Sequence, residues 1–480
     1  MSSPFSQLRG KADPNYVSQV ESVLNDVRVM TGDEDLAFLD MNDPIKSWAR
    51  YCRRDTLSKV AQIDMVGALM KLVWWCALPI AECDYPELIL IVRRALLFVV
   101  GQPARIRPAL NNAKRQHLIV CGPLSSTLHS PTLGAIDYAR ALSDSDPRCE
   151  ITFLMCQYFL GADVQPYIDH VFANQKNKPT IKDLNSQSTV VDILESSDVI
   201  ISHIFGANAL DPRISQLARI YPTIMFTCGD MPPFQYADVY WHQQPDDYVR
   251  PLWRRCGVPE MYIAHYSGGA PCTSDLAEPI FGRLEKADAG FSEDQVIMVT
   301  VGNRLAVDIT VEFLEGMFQL LMNDPKLVWM IVGAYDAAIV DTIVQTFGRQ
   351  VVHIPYEPQL LTLLTLSDIF VNPFRKGGGG SAFSAMRAGS IVLTRTDFGD
   401  VAALTPQANG ADSAEDFFER LRDLIASPSL RSEFLARQNV RVSELTDQSA
   451  LSRTIAGYVE LAQQRFESRQ SQGIDFLADA

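Results

Sequence analysis

The sequence predicts an α/β protein in which a helical N-terminal stretch precedes two runs of alternating strands and helices. Three observations carry this. Residues 1–112 show helical apolar spacing and no strand-like alternation. From 113 onward, short apolar runs alternate with amphipathic stretches, the signature of parallel sheets covered by helices. Near the end of the second run, Gly377 to Gly380 separate an apolar run from a helix-like one.

In chain order, Tyr16–Met30, Ile45–Arg53, Thr56–Ala77 and Tyr85–Val100 read as helices, with Asp55 and Pro86 as start signals. Met65–Ile80 and Leu88–Val100 are the most apolar stretches. Lys71 and Pro79 interrupt the one, Arg93 and Arg94 the other, and both are too short to span a bilayer. The expectation is core helices and no transmembrane segment. Gln102–Pro108 reads as a linker. The first alternating run then gives strands at His117–Val120, Ile151–Met155, Asp198–Ile201 and Thr223–Phe226. Helices begin at Pro131, Val190 and Arg213. The second run gives strands at Val296–Val301, Leu327–Val332, Val351–Ile354, Ile369–Val371 and Ile391–Leu393. Its helices are Val311–Leu321, Ile339–Phe347, Leu360–Ser367 and Ser381–Ala388, then Ala414–Ala426, Leu430–Val442 and Ser449–Ser468. The expected domains are therefore 1–112, all-α; 113–277, the first α/β domain; and 278–480, the second.

Composition narrows the function classes. With 42 basic and 57 acidic residues the net charge is -15, which argues against nucleic acid as a partner. The 9 cysteines are scattered without a C-x-x-C pair or a zinc-like Cys/His spacing. The N-terminus, MSSPFSQLRGKADPN, has no apolar core of the signal-peptide kind. A cytoplasmic location is expected.

The stretch His353–Asp400 concentrates the chemistry. Strand, glycine loop, helix and strand follow one another as a βαβ unit. Glycine lets backbone come close to a ligand, and the first amides of a helix attract an anion. Ser381 is placed as the cap, with Arg375 and Lys376 adding positive charge. The unit reads as a cradle for a diphosphate; taken alone, a glycine run is a weak signal that also suits a surface loop.

The order P-Y-x-P, helix, S-D-x-x-V-N-P, glycine loop, helix, A-G resembles the donor half of GT-B glycosyltransferases. In retaining family 4 enzymes the comparable segment holds two glutamates eight positions apart; here Lys376 and Ser384 stand there. The N-P-F and glycine loop are similar to those of cytoplasmic protein glucosyltransferases related to family 41. Their loop asparagine and aspartate fall on Gly380 and Ser384. The resemblance implies two Rossmann-like domains facing a cleft, a helical domain ahead of them and a last helix crossing back to the first. It implies a hexosyltransferase using a nucleotide-diphosphate sugar, UDP-linked, with a protein or glycan acceptor. It implies no metal and no cofactor beyond the donor itself.

Ligands of parallel sheets sit beyond the carboxyl ends of the strands. That rule brings His129, His203 and Asp230 to one rim, as candidate bases or their partners. A lone histidine is more often structural than catalytic. For the diphosphate the candidates are Arg304, which the resemblance to family 4 enzymes implies as the phosphate-binding residue after the first strand of the donor half, with Asn372, Arg375, Lys376 and the backbone of Gly378, Gly379, Gly380 and Ser381, and Ser384 in the following helix. Asp400 suits a donor hydroxyl or a turn cap. Two other functions stay open: a sugar-nucleotide epimerase on the same fold, and a non-catalytic sugar-nucleotide-binding subunit of an active transferase.

Overall fold

The structure is a computed structural model. It describes residues 14–32, 44–52, 57–76, 85–100, 115–127, 129–157, 159–186, 193, 199–205, 212–227, 235–242, 246–264, 282–335, 337–375, 377–397 and 399–472. The N-terminal helices are α1 (Pro14–Thr31), α2 (Pro44–Cys52), α3 (Lys59–Cys76) and α4 (Tyr85–Val100). The chain then forms two compact units, each built on a parallel sheet.

The first unit contains β1 (Arg115–Cys121), β2 (Glu150–Met155), β3 (Thr180–Asp183), β4 (Val199–Phe205), β5 (Thr223–Thr227) and β6 (Val239–His242). Its helices are α5 (Ser130–Ser145), α6 (Val164–Val171), α7 (Pro212–Ile220) and α8 (Asp246–Arg255). The strand order is β3-β2-β1-β4-β5-β6. The helix α4 belongs to this unit: Arg93, buried in it, donates to Cys256 O at 3.0 Å and to the Tyr240 hydroxyl at 3.3 Å. The expected helix from Val190 lies largely outside the described residues.

The second unit contains β7 (Val296–Val301), β8 (Leu327–Val332), β9 (Val351–Ile354), β10 (Ile369–Val371) and β11 (Ile391–Leu393). Between and after them come α9 (Leu305–Asp308), α10 (Val311–Asn323), α11 (Ala337–Phe347), α12 (Leu360–Leu364), α13 (Gly379–Ala388), α14 (Asp400–Leu404), α15 (Ala414–Ala426) and α16 (Pro428–Leu445). The order is β11-β10-β7-β8-β9. All six residues of β8 are buried, because helices cover both faces. Its side chains alternate: Trp329 and Ile331 join Phe313, Phe417 and Phe434 on one face, Val328 and Met330 join Phe370, Phe383 and Met386 on the other.

The last helix, α17 (Gln448–Ser471), completes the first unit's core. Leu451, Ile455, Val459 and Ala462 share one apolar cluster with Ile119, Phe153, Tyr138, Phe226 and Trp241. Beyond that cluster Arg469 donates to Asp238 Oδ1 at 2.9 Å and to Ala218 O at 2.8 Å. The same carboxylate accepts Thr223 N at 2.9 Å. A buried charge needs such a set of partners.

Three local expectations are corrected. The strand expected to stop before Ser202 and His203 continues to Phe205, so His203 lies inside the sheet opposite Ile119. The helix after the glycine loop starts at Gly379, with Gly378 as its N-cap, so Ser381 is not the cap. Strands β3 and β6 were not expected from the sequence. The first is four mostly half-buried residues, the second a short aromatic run at the sheet edge.

Candidate functional site

Each sheet has one place where neighbouring strands lead their connections to opposite sides: between β1 and β4 in the first, between β7 and β10 in the second. Open parallel sheets bind ligands at the carboxyl ends of such strand pairs.

At the second switch point, β7 ends at Val301 and leads into Gly302, Asn303 and Arg304, while β10 ends at Val371 and leads into Asn372 and the glycine loop. The loop after β7 is anchored by Gly302 N to Val332 O at 2.9 Å and Leu305 N to Ala334 O at 3.2 Å. Arg375 ties the two loops together. Its Nε donates to Asn372 Oδ1 at 2.9 Å, its Nη1 to Asp308 Oδ2 at 3.2 Å and its Nη2 to Val301 O at 2.7 Å. Asn372 in turn donates Nδ2 to Thr394 Oγ1 at 3.1 Å, reaching the end of β11. The other oxygen of Asp308 accepts from Arg304 Nη2 at 3.1 Å. The side chains of Arg375, Asp308 and Arg304 are 5%, 6% and 13% exposed.

Two glycines make room for this cluster. A Cβ on Gly302 would lie 2.4 Å from Arg375 Nη1, and one on Gly378 would lie 2.5 Å from Nη2. Gly378 also has φ +105°, a backbone state that side chains rarely adopt. These positions call for glycine because a guanidinium lies against them.

Gly378 leads into α13. The Gly379 amide donates to Asp400 Oδ2 at 3.2 Å, so Asp400 lies at the helix start. Gly380 and Ser381 supply first-turn amides, which have no acceptor within a helix. Their side-chain neighbours look back along the helix: Ser381 Oγ donates to Gly378 O at 3.1 Å and Ser384 Oγ to Gly380 O at 3.0 Å. Arg304, Asn372, Arg375, Gly378, Gly379, Gly380, Ser381 and Asp400 thus gather at one rim; Lys376 lies outside the described residues.

At the first switch point the loop after β1 is pinned by Asp163. Its Oδ2 accepts Thr127 N at 2.8 Å and Thr127 Oγ1 at 2.7 Å. The Thr127 backbone and hydroxyl bonds hold its carboxyl below the usual carboxylate range. His129 is the N-cap residue of α5; its Nδ1 is 2.9 Å from Thr132 Oγ1, and burial pushes the imidazole below its ordinary value.

His203 sits elsewhere. Its Nε2 is 2.8 Å from His117 Nδ1 and its Nδ1 is 2.8 Å from the Tyr138 hydroxyl. It is 2% exposed, and burial, with His117 beside it, pushes it well below the ordinary histidine range. His129 and His203 therefore belong to different networks, one at the rim and one in the sheet. Asp230 lies outside the described residues.

Asp308, His117 and Tyr138 escaped the sequence reading. For Asp308 a signal existed: it stands four residues after Arg304 in R-L-A-V-D, the spacing of one helical turn. An open groove of about 450 Å³ runs along α17 past Arg453, Tyr458 and Leu461, and holds none of these residues.

No protein-family model matches the chain, and no curated protein matches it by sequence. Solved structures do. A mutant O-GlcNAc transferase of Thermobaculum terrenum is similar over 88% of both chains, at 12% identity and TM-score 0.59. An OtsA structure matches 72% of this chain and 99% of its own, at 11% identity and TM-score 0.50. The chain has the GT-B fold of glycosyltransferases.

Proposed function

We propose that this GT-B chain is a glycosyltransferase that takes a hexose from a nucleotide-diphosphate sugar, UDP-linked, and passes it to a protein or glycan acceptor without a metal. The observation that carries the reading is the meeting of Arg304 and the glycine loop at the β7/β10 switch point. In this reading Arg304, Lys376 and the first-turn amides of α13 neutralise the leaving diphosphate as the bond from the anomeric carbon breaks. Asp400, at the same rim, accepts from donor hydroxyls. His129 is the base assigned to the acceptor's proton, because a neutral imidazole at physiological pH can receive one. His203, enclosed by His117 and Tyr138, serves the sheet instead.

A second reading has one observation in its favour. Ser384 stands where family 4 enzymes place an acid, and its hydroxyl is turned to Gly380 O. That suits a subunit that binds the sugar nucleotide without turning it over. The deciding experiment is thermal stability of the chain against UDP, GDP, ADP and TDP and their sugars, since a ligand that binds only the folded state raises Tm. A rise with one nucleotide family supports the donor site, and transfer to an acceptor then separates enzyme from subunit. No rise with any of them refutes the reading.

A further inference from the structure

We propose that Asp308 is a positioning residue of the phosphate site, holding Arg304 directly and the glycine loop through Arg375. The inference rests on the reading that Arg304 and this loop take the donor's diphosphate.

Four observations lead to it. Asp308 is a buried carboxylate whose two oxygens serve two different arginines, Oδ1 for Arg304 and Oδ2 for Arg375. A carboxylate so enclosed keeps its charge only when such donors compensate for lost water. Second, Arg375 directs three nitrogens into the protein, to Asn372, Asp308 and Val301. It works as a brace, so its place beside the glycine loop does not make it a ligand. Third, the brace fills the space left by the missing Cβ atoms of Gly302 and Gly378. The shape of both loops therefore depends on where its guanidinium is held. Fourth, Asp308 comes from the short helix α9 that begins directly after Arg304. One carboxylate thus sets the position of the arginine preceding its own helix and of the arginine that shapes the facing loop. A long side chain fixed before the ligand arrives loses less freedom on binding, and a fixed cation stabilises developing charge without reorganising.

Titration calorimetry of the full chain with UDP, inorganic pyrophosphate and uridine tests this. Asp308→Asn keeps the side chain's size and removes its charge. UDP and pyrophosphate are expected to bind about tenfold more weakly to it, with uridine unchanged; a merely collapsed site would lose uridine as well. The double variant Arg304→Ala with Asp308→Asn is expected to lose less UDP affinity than the two single losses added together, because the share of the Asp308 effect that runs through Arg304 is already gone while the share through Arg375 and the glycine loop remains. Unchanged UDP affinity in Asp308→Asn, or losses that add in the double variant, overturn the proposal. Should Asp308→Asn fail to fold, Asp308→Glu keeps the charge but moves both arginine anchors. It is expected to lose UDP affinity and retain uridine, and unaltered UDP affinity would overturn the proposal equally. A wild-type chain that binds neither UDP nor pyrophosphate refutes the donor-site reading, and this inference with it, before any variant is made.

Discussion

Each sheet carries a buried polar cluster, and the two are built on opposite principles. The first, His117–His203–Tyr138, is a chain of neutral groups held in the sheet layer, and each bond depends on which nitrogen carries the proton. The second, Arg304–Asp308–Arg375–Asn372, is charged and sits where two strands end. Among the described residues the hydrogen bonds of the neutral chain join a helix to two strands. The charged cluster ends in two loops and a helix N-terminus. The two clusters therefore differ in what they connect: strand interiors and a helix in the first sheet, loop ends at a topological switch point in the second.

The comparison can be broken most severely at Arg375. Arg375→Met removes the brace's three hydrogen bonds, to Asn372, Asp308 and Val301, and leaves Asp308 with Arg304 alone, which costs about 3–5 kcal/mol. In urea the second unit is expected to unfold early while the first keeps its transition; a loss confined to the first unit would contradict this assignment. Next comes pH. Burial, the main cause, pushes the His117 imidazole down to about 4, with Asp146 raising it and Arg115 lowering it. Its unfolded value is near 6.5, so the unfolded chain binds the proton first as pH falls. The His117 contribution, about 3 kcal/mol, is fully present above 6.5 and lost progressively down to about 4, and His203, also pushed down by burial, adds a loss of the same sign. Denaturation of the first unit across that window should show the slope, and His203→Gln should alter it.

Gly378→Ala is expected to cost roughly 1–3 kcal/mol, from a left-handed backbone and a Cβ meeting Arg375, and to weaken UDP binding. A variant with native stability and native UDP affinity would remove the glycine loop from the argument. Arg304→Ala should have the smallest effect on stability, about 1 kcal/mol, since Arg375 still pairs Asp308. Its UDP affinity should nevertheless fall about tenfold. Equal effects on fold and binding would place Arg304 with the architecture instead of the site.

Much of this arrangement was legible in the residues. Buried parallel strands read as near-continuous apolar runs, unbroken in Leu327–Val332 and interrupted only by Thr300 in Val296–Val301, so both could be drawn from sequence to the residue. The strand Thr180–Asp183 could not, because Lys182 and Asp183 interrupt its apolar character at a sheet edge. Ser202 and His203 look like the polar end of a strand. What keeps His203 inside is a pair of partners 86 and 65 residues away in the chain, which no local pattern carries. At the candidate site, the glycine loop was readable from the order of the residues, and Arg304 from the resemblance to family 4 enzymes, which carry a basic residue after the first strand of the donor half. That Arg375 is a brace, and that Gly378 takes the cap expected of Ser381, depends on how two distant loops meet.

The return of α17 to the first sheet has a consequence for synthesis. Leu451, Ile455 and Val459 belong to the same apolar core as β1 and β2, and Arg469 is the ionic partner of Asp238. Domains emerging from the ribosome usually fold in order, the N-terminal one first. Here the first unit's core is finished only after every strand of the second has been translated. The second sheet is therefore the one expected to reach its native form while the first still waits for its last helix. During that interval the apolar face that α17 covers is open to water and available to a chaperone.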